Sequence, residues 1–465
     1  MGKIGKVFTF LLILTMAFSM ELLISKPFGL AQTGTNVSYI ISSDTTWTQT
    51  GSPYNFVGNV LVNSGVTLTI GSGTTVNLNN YYLRVNGSLI IQPGATINMQ
   101  IIGEAIRING AISAIGTSDN PIHLNGGAYW HNLPTPFVST SYVTFASKSV
   151  DWNPETNSGS IVENAIVNYT GFQVASGVKI SSCNFLSYSD LTLLGGSPTV
   201  SGNNIACPFS LIYGMNLVDG TETPLATTRL SCTITNNLIS DGLYVESGSG
   251  SVTDNVISGG LTVSDEYGDA VSDVIERNLI GNSSVGISFS IENSYNNHAV
   301  IENNTVINNS VGIQIGNQFS PALSNNNIYG NELNVKLTGK ASAQINLPNN
   351  WWGTTDQSAI SQTIYDYKND FNLGTVNYIP FLTAPNPQAL PNQNAPIPTP
   401  NPSTSPTPTP SQTPTATPTV PEFSWLMILP LFAFMLSVAV ILRHRKPTSF
   451  SKRQSLTNLT LCSMV

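Results

Sequence analysis

One acidic stretch of the sequence groups residue types that can bind a metal ion and move a proton. Asp265, Asp269 and Asp273 lie close together, and Arg277 follows them. Carboxylates are the preferred ligands of Ca²⁺, and an arginine beside a calcium-bound acidic sugar can serve as the base of a lyase reaction. Arg277 is therefore a candidate catalytic residue and the three aspartates are candidate calcium ligands. A solvated acidic loop explains the same residues.

The remaining titratable residues suggest little further chemistry. His123, His131 and His298 are isolated from one another, and Asp366 and Asp370 are the only other carboxylates at a suggestive spacing. Inverting glycoside hydrolysis requires two facing carboxylates, whereas this pair falls near the end of the repeats. No nucleotide-binding glycine loop, Cys/His metal cluster or Ser-His-Asp set is apparent. The sequence predicts no active site of a known kind, and calcium is the only cofactor it suggests.

The candidate residues belong to a region that repeats a short phrase, an asparagine followed by apolar residues. Between Glu163 and Trp351 the phrase recurs at intervals of 18 to 33 residues. A drifting period with insertions indicates a solenoid with loops that vary on one side. Asparagine tolerates left-handed backbone angles in tight turns, and stacked copies can form a hydrogen-bonded ladder. The predicted structural turn residues are Asn184, Asn204, Asn237, Asn255, Asn278, Asn304, Asn327 and Asn350.

The apolar residues of each repeat follow the periodicity of short strands. They alternate in Val311–Ile315, and the same alternation with glycine turns extends through Val66–Met99. Strands that recur once per coil stack into parallel sheets. The sequence therefore predicts an all-β parallel β-helix in an ectodomain spanning 32–383, with about 12 coils between residues 59 and 350 and a C-terminal cap at about 350–382. In that cap, Asp356 should begin a short helix that carries Ile360 and Ile364 on one face.

The same region contains six candidate glycosylation sites and three of the four cysteines. Cys183, Cys207 and Cys232 are expected to be buried thiols, with one disulfide among them as the alternative. Sequons in an exported segment can carry glycans. They occur at Asn36, Asn86, Asn168, Asn282, Asn303 and Asn308.

Both ends of the chain predict an exported protein held at a membrane. Residues 1–31 have the pattern of a signal peptide, with a retained N-terminal anchor as the alternative. Residues 384–420 form a Pro/Thr/Ser-rich stretch expected to be a disordered stalk. Residues 423–442 carry no charge and are long enough to form a transmembrane helix, and the basic tail 443–465 places that end in the cytoplasm. The sequence predicts a single-pass protein with an extracellular ectodomain.

The composition of the chain narrows the class of partner. Only 9% of its residues are charged, and the stretch from Gln32 to Val420 holds 23 acidic and nine basic residues. A nucleic-acid-binding domain needs a basic surface. Nucleic acid is therefore excluded as an expected partner, whereas the membrane and extracellular carbohydrate are retained.

The repeats and the closing phrase NNWWGTTDQSAISQTIYDYKNDFNLGTVNYIPFL resemble the pectate-lyase-like right-handed parallel β-helix superfamily, in particular its archaeal and bacterial cell-surface members. This resemblance covers residues 59–381. The chain end, with Pro421-Glu422-Phe423 before the apolar helix and a basic cluster after it, is similar to archaeal surface proteins whose anchor a sorting enzyme can remove. The resemblance implies a right-handed coil.

The superfamily includes polysaccharide lyases, glycosidases and non-catalytic binding proteins, so fold alone does not select a function. The favoured interpretation is a non-catalytic cell-surface protein for adhesion or carbohydrate binding through its long lateral face. One alternative is an extracellular polysaccharide lyase or glycoside hydrolase. The other is a structural envelope protein.

Overall fold

The computed structural model describes residues 34–127, 129–130, 138–139, 141–212, 230–246, 250–264, 274–290, 299–316, 321–339 and 344–392. These residues form a parallel β-helix, in which three long parallel sheets run the length of the solenoid and each coil contributes one short strand to each sheet. The prediction of an all-β solenoid is confirmed. Each coil adds one strand spacing, about 4.8 Å, along the axis.

Within each of the three sheets, neighbouring strands follow one another in chain order. The first sheet contains Thr35–Val37, Tyr54–Phe56, Thr75–Asn79, Thr96–Met99, Ile122–Asn125, Ala165–Asn168, Asn184–Phe185, Asn204–Ile205, Leu238–Ile239, Val256–Ile257, Leu279–Gly281, Thr305–Ile307 and Asn327–Tyr329. The second sheet contains Ile40–Ile41, Val60–Val62, Leu83–Val85, Gly103–Ile108, Ser141–Phe145, Thr170–Val174, Asp190–Leu193, Phe209–Leu211, Leu243–Val245, Leu261–Ser264, Val285–Ser290, Val311–Gly316, Leu333–Thr338 and Ile364–Tyr365. The third sheet contains Thr45–Trp47, Thr67–Ile70, Ser88–Ile91, Ala111–Ile115, Ile161–Glu163, Lys179–Ser181, Thr199–Ser201, Thr233–Thr235, Ser251–Thr253, Val274–Glu276, Val300–Glu302 and Ala322–Ser324.

Six shorter elements complete the described secondary structure. Tyr129–Trp130 pairs with Val138–Ser139 in antiparallel fashion, and Ile345–Asn346 pairs with Val376–Asn377 in parallel. The helical elements are the 3₁₀ turn Gln49–Gly51 and the α-helix Gln357–Gln362.

The core is a set of apolar columns, because side chains alternate between the inside and the outside of each strand. On the first sheet, one inward column contains Ile205, Ile239, Ile257, Ile280 and Ile328, all with no exposed surface. Complete burial of each such side chain contributes about 1.5–3 kcal/mol. The apolar alternation in the sequence thus becomes a continuous core along the solenoid axis.

A ladder of buried asparagines lines the turn between the third and first sheets. Its members are at most 2% exposed. In a typical step, the backbone N–H and the Nδ2 of Asn255 both donate to Oδ1 of Asn278, each at 3.0 Å. Asn278 also donates from Nδ2 to the carbonyls of Val252 and Glu276, at 2.8 and 3.1 Å. The ladder consists of Asn203, Asn237, Asn255, Asn278, Asn304, Asn326 and Asn350.

The structure differs from the sequence prediction in the position of some ladder residues and of the left-handed backbone. Asn237, Asn255, Asn278, Asn304 and Asn350 lie in the ladder, whereas three other predicted turn residues begin strands of the first sheet, one residue beyond it. Those three are Asn184, Asn204 and Asn327. A left-handed residue precedes each ladder asparagine, with φ of 54–65° at Gly202, Asn236, Asp254, Arg277, Asn303, Asn325 and Asn349. At Asn204 and Asn327 the sequence has an Asn-Asn pair, which does not reveal which amide faces inward, so the prediction was offset by one residue. Asn184 instead follows Cys183, whose backbone N–H donates to Oδ1 of Asn203.

The C-terminal cap covers the last coil. Asp356 begins the helix, and its carboxylate accepts from the Ser358 backbone N–H at 2.8 Å, which confirms the predicted cap. The prediction that Ile364 shares the helix is wrong, because the helix ends at Gln362 and Ile364 belongs to the last strand of the second sheet. Pairing with Val335 places Ile364 in the core instead.

Residues 384–392, the first part of the predicted disordered stalk, lie against the β-helix. Asn386 donates from its backbone N–H to Oδ1 of Asn327 at 2.7 Å and from Nδ2 to Oδ1 of Asn303 at 2.9 Å. We call residues 386–392 the strap. The predicted disordered stalk therefore does not begin at residue 384, because amide contacts hold the strap against the β-helix.

The membrane-related predictions fall largely outside the described residues. The signal peptide at 1–31, the stalk beyond residue 392, the transmembrane segment 423–442 and the tail 443–465 all lie there. Within the described part of the chain, no helix has the length and apolar character needed to cross a membrane.

Candidate functional site

Arg277 occupies a left-handed turn between the third and first sheets and is held by two carboxylates. Its Nε donates to Oδ1 of Asp254 at 3.1 Å and its Nη2 to Oδ2 at 3.2 Å, and its Nη1 donates to Glu276. These hydrogen bonds, chiefly those to Asp254, raise the pKa of Arg277 above its ordinary value, although burial acts in the opposite direction. A proton-abstracting base must lose its proton, so this geometry suits Arg277 to binding rather than to base catalysis.

The strap closes over Arg277 and forms one side of a cleft. The cleft has a volume of about 540 Å³, within the range of small-molecule sites. The turns contribute Glu276, Arg277 and Asn303 to its walls. The strap contributes Pro387, Gln388, Leu390, Pro391 and Asn392.

Hydrogen bonds fix the strap on both sides of the cleft. At one end, Asn386 contacts Asn303 and Asn327. Nearby, the Thr305 hydroxyl donates to the carbonyl of Ala389 at 2.6 Å. At the other end, the backbone N–H of Asn392 donates to Oδ1 of Asp254 at 3.0 Å. Asp254 thus joins Arg277 and the strap, so the cleft walls are set by one hydrogen-bonded network.

The predicted calcium ligands Asp265, Asp269 and Asp273 lie outside the described residues. In the part of the chain that the structure describes, no group of three or more His, Cys, Asp or Glu side chains could hold a metal ion. The calcium prediction for these aspartates therefore stays a prediction.

In the described part of the chain, two in-register glutamates form a pair of neighbouring carboxylates. Glu276 and Glu302 are Cα partners on adjacent strands of the third sheet, a separation of about one strand spacing. Glu276 is already engaged by Arg277. Hydrolysis requires two carboxyl groups that are free to act on the substrate, so this ion pair argues against that chemistry. Asp366, by contrast, is buried in the cap and accepts from the backbone N–H groups of Lys368 and Val376.

Trp152 and His123 belong to different elements of the β-helix. Trp152 lies in the loop 150–159, which surrounds a second cleft of about 710 Å³. The Nζ of Lys179 lies 5.1 Å from the centre of its ring. His123 is half-buried on the outer face of the first sheet. His131, His298 and the Trp130 side chain are outside the described residues.

The candidate glycosylation sites differ in exposure. Asn36, Asn282 and Asn308 are exposed, whereas the other three are half-buried. In Asn303 the amide oxygen accepts from Asn386 of the strap. The half-buried sites are Asn86, Asn168 and Asn303.

The three described cysteines are free buried thiols, so the alternative of a disulfide among them is excluded. Burial raises the pKa of the Cys183 thiol to about 12 and also raises that of Cys207. Thiolate is the nucleophile in cysteine chemistry. Cys183 and Cys207 therefore have a packing role and no reactive one.

Sequence reasoning missed the strap and the role of Asp254. The turn phrases Asn236-Asn237, Asp254-Asn255 and Arg277-Asn278 align, and this alignment places an acid and a base at the same position of adjacent coils. It could have revealed the ion pair. The contacts of Asn386 have no comparable signal, because its partners lie 59 and 83 residues away.

Comparison with known proteins found no protein-family model that matches the chain and no curated protein with significant similarity to it.

Proposed function

We propose that the chain is a non-catalytic cell-surface protein that binds carbohydrate on the side of its β-helix and thereby serves adhesion. The observation that carries this proposal is the cleft beside Arg277, where a fixed cation, a carboxylate and side-chain amides lie beside the proline and leucine side chains of the strap. The proposal includes membership of the pectate-lyase-like right-handed β-helix superfamily. This membership is inferred from the repeats and from the closing sequence that begins NNWW.

The chemistry of the cleft suits a neutral sugar. Glu276, Arg277, Asn303 and Gln388 supply planar hydrogen-bonding groups that match adjacent hydroxyls. The strap adds the apolar surfaces of its proline rings and Leu390, which can contact the C–H face of a sugar. The two carboxylates on Arg277 outnumber its single positive charge, so an acidic sugar would be disfavoured.

Recognition is favoured over catalysis because the charged groups of the cleft are already paired. Arg277 is a stabilised cation, and Glu276 is its partner. A lyase needs a free base, and a hydrolase needs one protonated carboxyl group.

Placement at the cell surface is proposed from the sequence. The signal-like segment 1–31, the uncharged segment 423–442 and the basic tail 443–465 support a single membrane anchor with the β-helix outside. The Pro/Thr-rich segment then provides a spacer of about 3.1 Å per extended residue between the β-helix and the membrane.

A glycan array and an unsaturated-product assay on the full chain in mild detergent test this function. Gln388→Ala removes one exposed cleft side chain, and Gln357→Ala removes an exposed glutamine from the cap as the matched control. The loss of one hydrogen bond of about 1 kcal/mol should weaken glycan binding roughly fivefold in Gln388→Ala alone.

Both assays are repeated with and without Ca²⁺. The product assay should yield no unsaturated product in either condition. Calcium-dependent product that disappears in Arg277→Ala would overturn the proposal in favour of a lyase. The absence of any glycan signal would favour a structural envelope role.

A further inference from the structure

The first six coils place an asparagine at the same position of the first sheet. Cα pairing aligns each of these asparagines with the next, across five strand-to-strand steps. We call this set the asparagine column. It consists of Asn36, Asn55, Asn77, Asn98, Asn125 and Asn168.

The asparagine column points away from the core. Its immediate neighbours Val76, Ile97 and Leu124 are at most 4% exposed and face inward. Successive strand residues face opposite sides of a sheet, so the asparagines face outward. Asn36 is exposed and the other members are half-buried, which leaves the column accessible along its length.

Hydrogen bonds between side chains align the middle of the column. Nδ2 of Asn77 donates to Oδ1 of Asn55 at 2.8 Å, and Nδ2 of Asn98 donates to Oδ1 of Asn77 at 2.8 Å. Asn125 donates to Asn98 at 3.0 Å. An amide has two N–H donors and two acceptor positions. These bonds use one of each at Asn77 and Asn98, so donor and acceptor capacity repeats along the surface.

The asparagine column differs from the buried ladder in what it stabilises. Ladder asparagines satisfy backbone groups in the interior, as Asn278 does for Asn255. The bonds between column members Asn55, Asn77, Asn98 and Asn125 join side chains on an open face. Asparagine is depleted in strands, where β-branched residues pack better. A column of six asparagines therefore opposes strand propensity, which indicates a role in contact with a ligand.

The surroundings of the column define the chemistry of that ligand. Thr75, Thr96 and His123 form a second outward set two residues earlier on the same strands. At the far end, Tyr169 stacks on Tyr188 with ring centres 5.2 Å apart and planes 2° apart. Amides and hydroxyls without formal charge match a hydroxyl-rich neutral polymer, and stacked rings provide a flat platform for a sugar ring.

From this geometry we propose that the asparagine column binds an unbranched, neutral polysaccharide that lies along the axis of the β-helix. Five steps of about 4.8 Å give a contact length of about 24 Å. The ligand class rests on the proposed function, but the surface is separate from the cleft beside Arg277. A polymer in register with the column contacts several amides at once, so affinity rises with chain length.

The test measures binding of the full chain to cellohexaose, xylohexaose and chitohexaose, and to the disaccharide of each. The double variant Asn77→Ala/Asn98→Ala interrupts the column. Asn184→Ala/Asn204→Ala is the matched control, because this pair lies on the same sheet outside the column and has one similar amide bond of 3.0 Å. Urea unfolding of both double variants verifies that the fold is retained.

At least one hexasaccharide should bind tenfold or more tightly than its disaccharide. The column variant should lose at least tenfold in affinity for that hexasaccharide, whereas the Asn184/Asn204 control and Gln388→Ala should retain it. Equal affinity for the two lengths, unchanged binding by the column variant or no hexasaccharide binding would overturn the proposal. A glycan-array signal that depends on Gln388 would still support the cleft in each of these cases.

Discussion

Substitution of Asn278 by alanine tests whether the buried ladder holds the coils together. Asn278 has no exposed surface, and its Oδ1 accepts both the backbone N–H and the Nδ2 of Asn255. Its own Nδ2 donates to two carbonyls and to Oδ1 of Asn304. Alanine removes all of these side-chain contacts and leaves the Asn255 backbone N–H buried without its acceptor.

The expected loss of unfolding free energy is about 3 kcal/mol. A buried polar group left unsatisfied costs about 1–3 kcal/mol, and each further hydrogen bond lost costs about 0.5–1.5 kcal/mol. The matched control is Asn98→Ala, which removes two side-chain bonds at a half-buried position where water can replace them. Its expected cost is under about 1 kcal/mol.

Urea unfolding followed by circular dichroism measures both variants against the parent chain. Asn278→Ala should be clearly more destabilising than Asn98→Ala. Equal losses would refute this prediction, because they would mean that the buried ladder contributes no more than the half-buried amide pairs of Asn98. A change in the slope of the unfolding curve would instead indicate separate unfolding of coils, which is a known behaviour of repeat proteins.

Three further predictions concern the buried thiols and the strap. Cys183→Asn should raise the unfolding free energy by about 1 kcal/mol, because an amide at this position would extend the ladder. The backbone N–H of Cys183 already donates to Oδ1 of Asn203, the first ladder asparagine. Cys207 lacks such a partner, so Cys207→Asn should lower the unfolding free energy in the same urea titration. Burial raises the pKa of Cys183 from 9.0 to about 12. The thiol therefore ionises at lower pH in the unfolded chain than in the folded chain, and the unfolding free energy should fall from about pH 9 upward, with a smaller fall in Cys183→Asn. An equal pH dependence of the two proteins would contradict the burial of a neutral thiol at Cys183. In protein expressed in a glycosylating host, glycopeptide mass spectrometry should find a glycan on the exposed Asn308 and little on Asn303, whose amide contacts Asn386 of the strap. Asn386→Ala should increase glycan occupancy at Asn303. Unchanged occupancy would show that the strap does not protect Asn303.

The asparagine phrase illustrates how far local sequence predicts this fold. Asn255 and Asn278 were correctly predicted to stack, because a recurrent turn residue followed by apolar residues is a local property that repeats with the coil. Asn204 and Asn327 were placed one residue away from the ladder. A one-residue shift reverses the face of a side chain, and only the packed structure determines which of two adjacent asparagines faces inward.

The candidate site was less predictable than the fold. Arg277 was recognised from its residue type, but the prediction did not include its ion pair with Asp254 or its closure by the strap. Both contacts join residues that are distant in the sequence, so no short pattern encodes them. The calcium prediction for Asp265, Asp269 and Asp273 stays a prediction.

The sequence by itself determined that the chain forms a parallel solenoid, because strand alternation and turn chemistry are local and recur in every coil. Tertiary structure alone decided which asparagines are buried in the ladder and which form the outward column, since stacking and pleat set the face of each amide. It also decided that Asn386 fastens a proline-rich segment across Arg277, because that contact depends on coils brought together only by folding.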